Sequence, residues 1–126
     1  MRRLIRVSVV VLVVLTGASA RAAVAQTTQG DRGKSKEQVE FGIKVAQSGL
    51  WNEALYRWQK AVELDPNYAA AWNNLAIAYE HEGQLDKARK AYEKALAIEP
   101  NNAQIRQNYD LFKEINDRSA QPKDKQ

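Results

Sequence analysis

The chain repeats itself with a period of 34 residues, and this period limits the folds open to it more than any other feature of its sequence. Gly49 recurs as Gly83, Glu53-Ala54 as Lys87-Ala88, Trp58 as Tyr92, Lys60-Ala61 as Lys94-Ala95, and Asp65-Pro66-Asn67 as Glu99-Pro100-Asn101. A unit this short cannot enclose a core alone, so neighbouring copies must bury each other's apolar faces. The apolar spacing tells what each unit contains. Trp72, Leu75, Ala76 and Tyr79 recur at helical intervals, as do Leu85, Ala88, Tyr92, Ala95 and Leu96, which predicts two amphipathic helices per unit. Gly83 can take the positive φ that ends a first helix, while Pro66 and Pro100 stop the second because proline cannot continue the hydrogen-bond ladder. Small residues at Gly42, Ala54, Ala61, Ala76, Ala88 and Ala95 mark close helix approach, and Trp58, Trp72, Tyr79 and Tyr92 fill the space between. The expected fold class is all-α.

These residues resemble the tetratricopeptide repeat, whose pattern is a Trp, then Leu, Gly or Ala, Tyr, Gly, Ala, an aromatic, Ala and a closing Pro. The second unit, residues 69–102, matches at Trp72, Leu75, Ala76, Tyr79, Gly83, Ala88, Tyr92, Ala95 and Pro100. The first, residues 35–68, keeps Phe41, Gly42, Gly49, Ala54, Trp58, Ala61 and Pro66, but carries Gln38 and Val45 where Trp and Tyr are expected. Both departures fall at the end of the array. The resemblance implies two tandem helical hairpins in a short right-handed α-solenoid. Residues 103–118 restart the first-helix pattern at Ile105, Tyr109 and Phe112. Interspersed Gln104, Arg106, Gln107, Asn108, Asp110 and Lys113 suit a capping helix, apolar toward the preceding repeat and polar outside. A polar tail, 119–126, closes the chain. Stacked arrays commonly need about three repeats for stability. Two and a half predict a marginally stable or self-associating domain.

Ahead of the repeats stands a different kind of sequence. A short basic start containing Arg2, Arg3 and Arg6 leads into the aliphatic run Val7 to Leu15, and small residues follow. This is the layout of a secretory signal peptide, with cleavage expected after Ala20 or, by preference, after Ala25. The run is well short of the roughly 20 residues needed to cross a hydrocarbon core. Residues 1–25 are therefore read as a signal directing the chain across an inner membrane, most simply to a bacterial periplasm; no stable membrane anchor is expected unless the signal stays uncleaved. Residues 26–34 (QTTQGDRGK) lack large apolar side chains and read as a flexible linker.

The leader also explains the charge. The formal net charge of +4 comes from 19 Lys+Arg against 15 Asp+Glu, and Arg2, Arg3, Arg6 and Arg21 account for the excess. A neutral mature domain has no bulk field to gather polyanions, so no nucleic-acid partner is expected. The absence of Cys excludes disulfides, Cys-ligated zinc and thiol chemistry. No phosphate-cradling glycine motif or nucleophile elbow occurs. His81, the single histidine, lies between Glu80 and Glu82, and adjacent helical residues diverge, so these three cannot converge on one ion. No catalytic residue, metal or cofactor is expected, and His81 reads as a solvated helix terminus. The charges from Asp86 to Lys94 read as a solvated face with some i, i+4 pairing.

What remains is surface. The resemblance implies that the first helix of each unit lines a concave groove receiving a partner's peptide or helix, and that the ninth position of each unit points into it. Those positions are Ile43, Ile77 and Leu111, with Val39 one turn earlier and Asn73 at its equivalent place. Asn73 and Asn74 carry amides able to bond a bound backbone. Some family members clamp a carboxylate terminus of heat-shock chaperones with Lys, Asn and Arg. Of those five places this chain has Val39, Ile43, Asn74, Gln104 and Asn108, and only Asn74 fits. The expected function is thus a non-enzymatic exported adaptor or scaffold that binds another protein by apolar burial at Val39, Ile43, Asn73, Asn74, Ile77 and Leu111. The alternatives are a self-associating structural subunit of an envelope complex and, least favoured, an enzyme subunit using His81.

Overall fold

A computed structural model of the chain describes residues 18–119. The basic start and aliphatic run of the expected signal, and residues 120–126 of the expected tail, lie outside the described residues. Within them are five helices and no strands: α1 (Ala18–Gln47), α2 (Trp51–Leu64), α3 (Ala69–His81), α4 (Leu85–Ile98) and α5 (Ala103–Ser119).

The hairpins are set by local chemistry that both units share. Gly49 and Gly83 adopt φ of 80° and 73°, the left-handed conformation that ends a helix without a Cβ clash. At each, two backbone bonds close the helix end. Gly49 N–H donates to Ala46 O and Leu50 N–H to Val45 O, both at 2.9 Å; Gly83 N–H and Gln84 N–H repeat the pattern to Glu80 O and Tyr79 O at 3.0 and 2.8 Å. These short connections fold α2 back on α1 and α4 back on α3. The second helices end at Leu64 and Ile98, just ahead of Pro66 and Pro100.

Packing follows the small residues. Ala54, Ala61, Ala76, Ala88 and Ala95 are all fully buried. Gly42 sits so close to α2 that a Cβ there would lie 2.8 Å from Cδ1 and Cε2 of Trp58, and nearer still to Nε1. Trp58 fills one core with Val39, Ala71, Leu75 and Ala78, while Tyr92 and Phe112 fill the next with Ala76, Ala88 and Ala91. Trp72 and Tyr79, expected to fill the space between helices, do so half-buried and bridge the clusters.

One contact pattern fixes the curvature. The first helices touch in sequence, α1 against α3 and α3 against α5, whereas α2 and α4 make no contact with each other. An array that closes along its first helices and splays along its second ones is concave on the first-helix side. Its C-terminal end is finished as expected. At the places of Trp72, Ala76 and Tyr79, α5 carries Arg106, Asp110 and Lys113, so its open face is polar where a further helix would otherwise pack.

Residues 26–34, read from composition as a flexible linker, continue α1 without a break. The anchor is Arg32. Its guanidinium pairs with Asp65, donates to Asn67 O at 3.1 Å and lies 4.8 Å from the Tyr68 ring. Three residues on, the buried Ser35 hydroxyl donates to Ala61 O at 2.8 Å. These contacts tie Arg32 and Ser35 to the end of α2 and the α2–α3 turn, 33 residues downstream of Arg32 in sequence.

Candidate functional site

The concave side holds a depression of about 360 Å³ where α1, α3 and α5 meet. Its walls include Val39, Glu40 and Ile43 from α1, Asn73, Asn74 and Ile77 from α3, and Gln104, Ile105 and Asn108 from α5. A second hollow of about 240 Å³ adjoins it, sharing Ile43, Asn74 and Ile77 and ending at Trp51 and Trp58. The two form one groove with Ile43 and Ile77 at its centre.

Five of the six sequence-expected residues are brought together, with differences that matter. Ile43 and Ile77 are partly exposed, as a docking surface needs. Val39 is only 4% exposed: its side chain belongs to the core around Trp58, and its carbonyl accepts from the Trp58 indole N–H at 3.2 Å, so it shapes the groove floor more than it meets a ligand. Leu111 lies apart. It is 54% exposed and lines a different concavity on α5, with Ala103, Arg106, Gln107, Asp110 and Glu114. The α5 residues that line the α1–α3–α5 depression are Gln104, Ile105 and Asn108, while Leu111 lines the other concavity.

The amides are partly committed. Asn108 Nδ2 donates to Asn73 Oδ1 at 3.1 Å, tying α5 to α3 across the groove. Asn74 Nδ2 donates to Ala70 O at 2.8 Å. The Asn74 carbonyl is left without a donor among the described residues and is available to an N–H of a ligand. Glu40 supplies the single carboxylate in the wall.

Sequence reasoning missed the end of the groove. His81 stacks on Trp51, ring centroids 4.1 Å apart and nearly parallel, with Nδ1 3.7 Å from Glu82 Oε1. This joins the first turn of α2 to the last turn of α3, a contact that periodicity cannot show because no other histidine exists to repeat. The expected i, i+4 pairing on α4 is not formed either. Arg89 instead pairs with Asp117 at 3.2 Å, and Glu93 accepts from the Tyr109 hydroxyl at 2.9 Å, so both serve the α4–α5 joint. Behind that joint, burial and the neighbouring Glu80 carboxylate hold the Tyr92 phenol well above its ordinary pKa; its hydroxyl donates to Glu80 Oε2 at 3.0 Å. Among the described residues, no three His, Asp or Glu side chains are grouped to hold a metal ion. No helix among them is long and apolar enough to cross a membrane.

Family models agree with this architecture. Residues 69–102 match a model described as tetratricopeptide repeat, and residues 45–83 match one described as TPR repeat. An uncharacterized protein of Methanocaldococcus jannaschii is 35% identical over 66 residues, which span 52% of this chain and 77% of the relative. The chain belongs to the tetratricopeptide repeat family. Other relatives are longer. A chloroplastic tetratricopeptide repeat domain-containing protein of Arabidopsis thaliana is 34% identical over 59% of this chain, and the match spans 25% of that protein. The type IV pilus assembly protein PilF of Pseudomonas aeruginosa is 32% identical over 65% of this chain and 34% of its own length. Tetratricopeptide repeats generally mediate binding to other proteins.

Proposed function

We propose that this tetratricopeptide repeat protein is an exported envelope adaptor that binds another protein through the groove centred on Ile43 and Ile77, flanked by Val39, Asn73 and Asn74. The observation that carries the reading is the convergence of Ile43, Asn74 and Ile77 from two repeats onto both adjoining hollows. A partly exposed aliphatic pair beside an unsatisfied carbonyl rewards a ligand that buries a side chain and donates a backbone N–H. The helices that carry these groups are packed before a ligand arrives, so docking costs little reorganisation. No general acid, base or nucleophile is part of this scheme, and the adaptor acts by presentation.

Export rests on the basic and aliphatic start of the sequence, and the similarity to a pilus assembly protein supports an envelope setting. Cleavage after Ala25 removes the beginning of α1 and leaves Arg32 to hold its new N-terminal end against the α2–α3 turn. The test replaces Ile43 and Ile77 with Asp in the full chain and compares partners recovered from the native envelope. Loss of specific partners with retained helicity is expected; an unchanged set of partners would discard the groove. Detection of the chain only in the cytoplasm by fractionation would discard export.

A further inference from the structure

The opposite side of α3 carries a second surface. At 100° per residue, Trp72, Leu75 and Tyr79 lie about half a turn from Asn73, Asn74 and Ile77. These three, with Ala91, make the floor of a groove of about 340 Å³ whose rim is Lys87, Lys90 and Lys94 of α4. Three lysines spaced three and four apart share one helix face and span about 10 Å along it. Among the described residues none of the three ammonium groups meets a carboxylate, whereas Lys60 and Lys113 lie beside Glu63 and Asp110. The nearest ring interaction is Lys87 Nζ at 5.6 Å from the Tyr79 centroid.

The equivalent place in the first repeat shows that such a groove need not be open. There Arg57 stands where the second repeat has Ala91, and its guanidinium covers the Phe41 ring at 4.4 Å while pairing with Glu53 at 2.7 Å. Glu53 in turn occupies the place of Lys87, Tyr56 that of Lys90, and Lys60 that of Lys94. One repeat fills its groove and balances its charge. The other leaves an apolar floor and three unpaired cations.

We infer that this α3–α4 groove is a second docking site, for an acidic peptide segment that buries an apolar side chain against Trp72, Leu75 and Tyr79 and sets carboxylates against Lys87, Lys90 and Lys94. Charge complementarity identifies the occupant. The concavity takes one or two side chains, a scale that suits a peptide better than a membrane surface, and the cationic rim favours anions. The site is independent of the concave groove and acts on the other face of the same helix.

The test uses the full chain and a labelled synthetic peptide of alternating glutamate and leucine, titrated by fluorescence anisotropy. Saturable binding that weakens with added salt is expected. Lys90→Glu with Lys94→Glu, both at exposed positions, should weaken it by about tenfold or more. Ala91→Arg, which imitates the first repeat, should weaken it too even though it adds a positive charge, and Ile43→Asp should leave it unchanged. Circular dichroism verifies that each variant keeps its helices, and the lysine pair decides the matter if Ala91→Arg does not. Equal binding by the lysine variant, tighter binding by folded Ala91→Arg, or absence of saturable binding would each overturn the inference. Displacement of the peptide by phosphatidylglycerol vesicles that bind more tightly would overturn it in favour of a lipid surface.

Discussion

Replacing Gly42 with Ala puts the central packing argument under direct strain. In an exposed helix this change stabilises by about 0.5–1 kcal/mol, because Ala loses less backbone entropy on folding. At Gly42 the new methyl would meet the Trp58 indole at 2.8 Å or less, and Trp58 is 2% exposed with its N–H bonded to Val39 O. Moving the ring toward the adjoining hollow would break that hydrogen bond and its packing against the core. Overpacking a core of this kind costs about 1–3 kcal/mol, and a displaced indole loses a hydrogen bond worth about 1 kcal/mol. The net expectation is a loss of about 1–3 kcal/mol, or about 4–20 °C in Tm for a domain of this size. Urea and thermal unfolding followed by circular dichroism measure it. Gly33→Ala serves as the control: nothing lies within 4 Å of its Cβ, so only the helix-propensity gain applies. The second repeat supplies the compensating partner, since Ala76 and Tyr92 stand where the first has Gly42 and Trp58. Trp58→Tyr added to Gly42→Ala should therefore recover part of the loss, a coupling visible in a double-mutant cycle. A Gly42→Ala protein as stable as the parent would refute the close-approach reasoning.

Other consequences are open to measurement. Phe112→Ala removes a ring 1% exposed that packs on Tyr92 and Tyr109, and should cost about 3–5 kcal/mol and detach α5; a loss under about 1 kcal/mol in urea unfolding would contradict its role in closing the array. Tyr92 titrates above 10.0 in the fold because it is buried beside Glu80, so the unfolded chain loses the phenol proton first. Its stabilisation is whole below that pH and is lost as pH rises past it, and Tyr92→Phe should unfold less steeply in alkali. Coincident alkaline transitions for the two proteins would count against this. Arg32→Ala should speed amide exchange across residues 26–34; full, unprotected exchange there already in the unaltered chain would return that stretch to a flexible linker.

Much of the architecture was legible because it is periodic. Gly49 and Gly83, Pro66 and Pro100, and the buried alanines each act within a turn or a single helix crossing, where sequence spacing maps directly onto space. The groove was legible in part for the same reason: Ile43 and Ile77 hold equivalent places in equivalent helices. Leu111 holds the third such place, yet it lies apart because the α5 residues that reach the groove are Gln104, Ile105 and Asn108. The remaining surprises are contacts between unlike positions. Arg32 with Asp65, Trp51 with His81, and Arg89 with Asp117 have no counterpart one period away, so a repeat pattern is silent about them. The open lysine groove was hidden differently, for it depends on what fails to pair, and a helical wheel of α4 shows acids near enough to have done so.

The adaptor function requires that a protein partner occupy the concave side. A photo-crosslinking amino acid placed at Ile77, and separately at the exposed Ala97 of α4, addresses this in the cell of origin. A discrete adduct from position 77 that disappears when Ile43→Asp is added, with none from position 97, is the predicted result. Adducts of the same kind from both positions, or from position 97 alone, would contradict it.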